Sequence, residues 1–210
     1  MVNTVKPKTN NHRKLLKQIY EIKEGKTVIE TLPDRCYVSQ RMCTSFHMDW
    51  DGHPEPKDEK WIGFKVVNQI KQITKTEMDY RFKLMPHEMI WLQQEEDQKW
   101  LVDRMMLVPD FITEDIYTRA LEKVKKNLRV DELPAISFRR EAAALEALQL
   151  HVGHYRDTKD TLAEMEEEVN RRGYEMILPH REIYLNPAMD CYPAHNCKTV
   201  ICVKIQKRDE

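Results

Sequence analysis

The chain has 210 residues, 41% hydrophobic and 33% charged, which is long enough to bury one sizeable core and ordinary for a water-soluble protein. Its formal net charge of −1 gives no global field for gathering nucleic acid, and no apolar run reaches the roughly 18 residues of a membrane span. Membrane insertion and charge-driven nucleic-acid binding are thereby excluded, and with no apolar secretory segment at the start the expected location is cytoplasmic. Five cysteines, an odd number without CxxC spacing, predict free thiols in a reducing compartment. Asp190, Cys191, His195 and Cys197 match no familiar zinc spacing and read as a polar hairpin connection, so no metal and no cofactor is expected.

Residues 12–23 carry Leu15, Leu16, Ile19 and Ile22 at helical spacing, and Gly25 ends that predicted N-terminal helix. Its basic residues read as a solvated or packing helix rather than a nucleic-acid arm. Residues 27–46 are extended with a turn at Pro33 and Asp34, and residues 47–57 form a loop. A helix from about Asp58 to about Lys75 places Ile62, Val66, Ile70 and Ile73 on one stripe with Trp61 and Phe64 beside it. Strands over 80–93 and 99–108 follow, joined by the polar turn 94–98. Thr113 then caps a connector helix with Glu114 and Asp115 in its first turn, lysines in its last, and Ile116, Ala120, Leu121 and Val124 inward. Residues 127–134 are its linker.

Further on, residues 141–150 have the composition of a helix. A helix over 158–172 buries Leu162, Met165 and Val169 and ends at Gly173. Residues 174–178 lead into a strand over 179–185, and the alternation over 199–206 predicts a final half-buried strand.

The stretch Pro179-His-Arg-Glu-Ile-Tyr-Leu185 aligns without gaps on Pro86-His-Glu-Met-Ile-Trp-Leu92, a repeat of about ninety residues. Tyr184 matches Trp91 and Glu182 matches Met89, so only the second copy carries the carboxylate. The repeat also overrides helix propensity at 141–150, which must be a strand to match the one before residue 46. In a strand Glu182 and Tyr184 share one face, while Arg181, Ile183 and Leu185 share the other. Glu88, aligned with Arg181, faces away from Glu182.

The order of His151-Val-Gly-x-Tyr155, Arg172-Gly-Tyr-Glu175 and His180-x-Glu-Ile-Tyr-Leu185 resembles the GyrI-like small-molecule-binding family. Met85-Pro-His-Glu88, Trp91 and Val108-Pro-Asp-Phe111 are similar to its stand-alone branch, which lacks a DNA-binding domain. The first 27 residues are too short for a helix-turn-helix domain. The resemblance spans residues 28–206 and implies an α+β fold. Two pseudo-symmetric β-α-β-β repeats of antiparallel strands, 28–108 and 135–206, would flank the connector 109–134 and form a ligand groove at their junction, preceded by a tail and helix over 1–27. It departs from the family at His154, where proline is usual.

The resemblance places the family's pocket glutamate at Glu182 and implies a lipophilic aromatic ligand, with no direct nucleic-acid or membrane partner. In the stand-alone branch it implies hydrolysis of cyclopropane-bearing DNA alkylators, with Glu182 as general base and Tyr155 as the phenol beside it. Tyr184, on the face of Glu182, is the alternative phenol. Trp61, Trp91, Trp100, Tyr184, Met89 and His154 are the expected ligand-binding residues. Non-catalytic capture of lipophilic cations and gyrase-inhibitor-like protein binding are the alternatives. His87 and His180 read as turn residues that satisfy backbone groups.

Overall fold

A computed structural model describes residues 9–44, 59–95, 99–186 and 193–208. The expected loop 47–57, Phe46, the predicted helix start at Asp58, residues 96–98 of the polar turn, and Asp190 and Cys191 lie outside the described residues. The strands are β1 (Thr9–Asn10), β2 (Val28–Leu32), β3 (Arg35–Thr44), β4 (Arg81–Phe82), β5 (His87–Gln94), β6 (Trp100–Val108), β7 (Ile136–Glu141), β8 (Ala144–Val152), β9 (Tyr174–Tyr184) and β10 (Lys198–Lys207). The helices are α1 (Lys17–Tyr20), α2 (Gly63–Glu77), α3 (Glu114–Leu128) and α4 (Thr158–Arg171).

Eight strands form one antiparallel sheet in the order β2-β8-β10-β9-β5-β6-β3-β7. At its centre β5 pairs with β9 through Glu88 with Ile183, Met89 with Glu182 and Ile90 with Arg181. The repeat alignment equates Met89 with Glu182, so a pseudo-twofold axis passes between these two residues. On either side, β6 and β3 mirror β10 and β8. The outermost strands are exchanged: β2 precedes β3 in the chain but pairs with β8, and β7 precedes β8 but pairs with β3. The local sequence of a strand does not name its partner.

The two exchanges bend the sheet. Residues 33–34 connect the first strand of the order to the seventh, and residues 142–143 connect the eighth to the second. Six strand spacings of about 4.8 Å amount to some 29 Å, whereas three Cα steps reach about 11 Å. The sheet must therefore curl until its outer strands meet at one rim, where the Asp34 carboxylate accepts a hydrogen bond from the Ala143 amide at 2.6 Å.

Helices cover the convex face. Helix α2 packs on β3 and β6, and α4 on β8, β9 and β10, where Met165 and Val169 meet Ala147, Ile201 and Val203. Helix α3 starts at the expected Thr113 cap, whose hydroxyl accepts from the Ile116 amide, and packs against α2. Strand β8 forms despite its helix-like composition because it is wedged between β2 and β10, with Glu146–His151 all buried; tertiary pairing overrides propensity. The final strand is more enclosed than its alternation predicts: Thr199–Val203 are buried on both faces, because β10 lies inside the sheet under α4.

Two elements differ from their sequence patterns. The expected helix over 12–23 is only a 3-10 turn at His12–Lys14 and the single turn α1. No side chain caps α1, and a segment this short is not helical on its own. Its shape is set by anchors instead: His12 Nε2 bonds Tyr80 Oη at 3.0 Å and Tyr20 donates to Glu88 at 3.4 Å. The expected strand 80–93 is broken after β4, which pairs with β1, and resumes past Pro86, whose ring nitrogen cannot donate to a ladder.

The concave face gathers charge. Arg181 contacts Glu88 at 3.2 Å, Glu141 at 2.9 Å and Glu146 at 3.1 Å, and donates to the Tyr37 hydroxyl at 3.2 Å. The Arg181–Glu88 contact is close but misaligned for a hydrogen bond. Arg35, from β3, pairs with Glu146 across the curl. Burial works against ionising Glu141, yet Arg181 and Arg35 hold its pKa below the ordinary value, whereas burial wins at Glu88 and raises it. Removing one member of a buried cluster strands the others. Arg181→Met should therefore cost about 3–5 kcal/mol in urea unfolding at neutral pH, against about 0–1 kcal/mol for the half-exposed Arg139→Met. Equal losses for the two variants would show that Arg181 does not hold the cluster.

Candidate functional site

On the convex face, between the parts of the sheet covered by α2 and α4, the centre of β5 and β9 carries an aromatic cluster. Met42, Met89, Val102, Tyr155 and Tyr184 are buried together, with Trp61, Trp91 and Trp100 packed against them. Glu182, only 3% exposed, lies at its edge on the same strand face as Tyr184.

Each part is held by a different element. Trp61 precedes α2, whose N-terminus has no side-chain cap of its own; Gln40 of β3 serves instead. Its amide oxygen accepts from the Ile62 and Gly63 amides at 2.7 and 3.0 Å, and its nitrogen donates to the Lys60 carbonyl at 2.9 Å. Gly63 matters because a Cβ there would lie 2.9 Å from Trp61 Nε1, closer than the indole could tolerate in place. Trp91 and Trp100 meet edge to face at 5.6 Å between centroids. Tyr155 follows the turn at Gly153, with the His154 ring 4.3 Å away.

The carboxylate of Glu182 is unevenly satisfied. Its Oε2 accepts from Tyr184 Oη at 2.5 Å and Trp91 Nε1 at 3.0 Å, while His180 Nε2 lies 3.4 Å from Oε1. Burial pushes the Glu182 pKa up, but the hydrogen bonds of His180 and Tyr184, the charge of His180 and the Thr158 hydroxyl together outweigh it, and the pKa falls below the ordinary carboxylate value. Glu182 is an anion at neutral pH. Tyr184 moves the other way: burial and the charge of Glu182 raise its pKa well above that of a free phenol, so it remains a neutral donor.

All eight side chains expected from the sequence thus lie in or against this cluster, and Tyr184 is a phenol bonded to Glu182. Several others were not expected. Arg104 stands opposite both Met89 and Gln40 in the sheet register, and its guanidinium lies 4.2 Å over the Trp61 ring. His87 stacks on Tyr184 at 4.9 Å with 24° between planes, and burial, followed by the charge of Arg104, lowers its pKa to about 3. Thr158 opens α4. His87 and His180 are strand residues of the site rather than the turn residues expected, and the signal for them existed: the alternation that puts Tyr184 beside Glu182 also puts His180 there, and His87 beside Met89. Arg104 had no such signal, because only the long-range register brings it in.

No group of three or more His, Cys, Asp or Glu side chains among the described residues could hold a metal ion. No helix among them is long and apolar enough to cross a membrane.

No protein-family model and no curated protein matches the chain. Solved structures do. A hydrolase from Listeria innocua superposes with a TM-score of 0.75 at 21% identity, over 95% of this chain and all of that one. An uncharacterized conserved protein from the same organism gives 0.74 at 20% identity, over 93% and 99%. EcmrR, in a complex with DNA, gives 0.51 at 16% identity, over 94% of this chain and 63% of that one. At these identities the likeness is one of fold, and the curled α+β sheet is what the chain shares with them.

Proposed function

We propose that the protein binds a flat, lipophilic small molecule against its tryptophans and hydrolyses it when it carries a strained electrophilic ring, such as the cyclopropane of a DNA alkylator. The observation that carries this reading is a buried, ionised carboxylate inside an aromatic cluster, with Oε2 committed to Tyr184 and Trp91 and His180 at a long 3.4 Å from Oε1. Oε1 is the oxygen available to a water proton. In the proposed reaction Glu182 takes that proton as the water oxygen bonds to the ring carbon. The ring bond breaks toward the conjugated carbonyl, and the resulting oxyanion is protonated to a phenol, so water is added across the opened bond. A general base of this kind contributes about 10²–10⁴ in rate. The shared fold with a hydrolase of Listeria innocua supports the reading.

A second reading is favoured by the direction of the Glu182 shift. A carboxylate with a lowered pKa is a weaker base and a more persistent anion, which suits reversible binding without turnover. Tyr155 and the tryptophans serve both readings as walls of the pocket.

Turnover of a spirocyclopropyl dienone in ¹⁸O-labelled water distinguishes them. The hydrolase reading expects many turnovers, one labelled oxygen per product, and a loss of about 10²–10⁴ in Glu182→Gln; stoichiometric binding with no labelled product would leave only the receptor. The acid limb of the rate profile gives a further check. Because the folded pKa of Glu182 is lowered, the rate should hold as pH falls to the ordinary carboxylate value of 4.5 and decline only below it. Tyr184→Phe removes a hydrogen bond to the charged form and should move that limb to higher pH. An unmoved limb would mean that Tyr184 does not tune the base.

A further inference from the structure

We infer that the concave face of the sheet holds a second ligand site, separate from the aromatic cluster, for a small amphiphile with an apolar body and a carboxylate head. The site is a cavity of about 470 Å³ lined by residues of β3 and of β5 to β10, a size within the range of about 300–1,000 Å³ typical of small-molecule pockets. Glu182 points to the other face of β9, so neither site uses the other's side chains.

The walls of this cavity carry a surplus of positive charge. On one arm of the curled sheet, Arg41 of β3 and Arg139 of β7 share a single carboxylate, Asp103 of β6: Arg41 holds it at 2.9 and 3.1 Å, while Arg139 reaches it at 3.5 Å. The other contact of Arg139, 3.4 Å to Glu141, is to a carboxylate that Arg181 and Arg35 also share. On the opposite arm, Lys204 of β10 stands across from Glu146 of β8 in the register. Both oxygens of Glu146 are already taken, Oε1 by Arg35 and Oε2 by Arg181 and the Cys202 thiol. Lys204 makes no ion pair among the described residues. The lining therefore has four cations against three carboxylates, with the surplus at Arg139 and Lys204. Hydrogen-bonding capacity is uneven in the same direction: Arg35 Nε and Nη1 and Arg181 Nε are buried without an acceptor, against one carboxylate oxygen, Glu88 Oε2, without a donor.

Between the two arms the lining is apolar. Ile90 and Leu92 of β5 and Ile177, Leu178 and Pro179 of β9 form a strip along the central strands. Leu92, Ile177 and Leu178 are three of the seven large apolar side chains exposed among the described residues, and their gathering at one mouth marks a binding surface, which scattered exposure would not. The curl turns the arms toward each other across this strip, so cations flank it on both sides. A chain laid along β5 and β9 buries its apolar body there and brings an anionic end between Arg139 and Lys204, where a carboxylate accepts charge-assisted hydrogen bonds. A cationic head would meet like charge at that place, and a neutral head would leave the surplus unanswered.

The test is isothermal titration calorimetry of the full chain with decanoate, decanol and decyltrimethylammonium, which share an apolar chain and differ in the charge of the head. Decanoate should bind one to one and at least ten-fold more tightly than either other probe. Lys204→Glu reverses the surplus charge, and Leu178→Asp, at a side chain 65% exposed, spoils the apolar strip. Both positions are exposed, so the variants should fold by circular dichroism, and each should weaken decanoate at least ten-fold. Folded Glu182→Gln should bind decanoate as wild type does. Either other probe binding as tightly as decanoate overturns the proposal, as does the absence of decanoate binding. Decanoate binding that survives both Lys204→Glu and Leu178→Asp, or that is lost in Glu182→Gln, places the ligand elsewhere and overturns it as well. Vesicles of dioleoylphosphatidylglycerol separate a free amphiphile from a lipid surface: sedimentation of the chain with them, without one-to-one decanoate binding, would make this face a membrane contact instead.

Discussion

The structure depends on the antiparallel crossing of β5 and β9, because the pseudo-twofold axis runs between Met89 and Glu182. Residues equivalent by the repeat become neighbours there, and each equivalent pair must be compatible with itself in space. Glu88 and Arg181 are one such pair; they lie on the concave face and contact each other at 3.2 Å, where two identical charges would repel. Trp91 and Tyr184 are another, and both donate to the same oxygen of Glu182. His87 and His180 are a third, one stacked on Tyr184 and the other against Glu182. The single departure on the axis, methionine against glutamate, makes a symmetric framework into an asymmetric site. A carboxylate at both positions would place two like charges side by side, and one of them would have to be protonated.

This explains which parts of the molecule were legible in the sequence. Glu182, Tyr184 and Trp91 follow from strand alternation and one seven-residue match, because both are local in the chain and the axis makes them local in space. The strand at Ala144–Val152 was legible only through the repeat, against its own propensity. Arg104 and Gln40 were not legible. They reach the site through the register of β3 on β6 and β6 on β5, and nothing in their neighbouring residues states that register. The exchange of β2 and β7 between the two halves was hidden for the same reason. The N-terminal segment misleads differently: its helical spacing is real, but its apolar residues are used to cover the sheet, with Ile19 and Tyr20 buried, and the backbone follows the anchors at Tyr80 and Glu88.

Burial is the largest single influence on Glu182, and it opposes the charge. A lone buried carboxylate takes up a proton rather than bear that cost. Here donors arrive from β9 itself and from β5, so the anion is held by two strands that are far apart in sequence. Such preorganisation fixes the direction of the carboxylate before any ligand arrives. It also makes the base weaker as it makes the anion more secure, so whatever reactivity the site has must come from placing water and electrophile together, an effect of orientation rather than of basicity.

Strand β9 therefore carries charges on both faces in consecutive positions, Arg181 inward to three carboxylates and Glu182 outward to aromatic donors. A slip of one residue would exchange the faces, putting a guanidinium against Trp91 of β5 and a fourth carboxylate among Glu88, Glu141 and Glu146. Apolar pairs such as Ile90 and Ile183 would tolerate the slip far better than these charges do. Replacing a buried ionic cluster by well-packed apolar residues often costs nothing in stability, so stability alone does not account for this one. What the cluster enforces is register, and register is what delivers Glu182, rather than its neighbours, to the aromatic face.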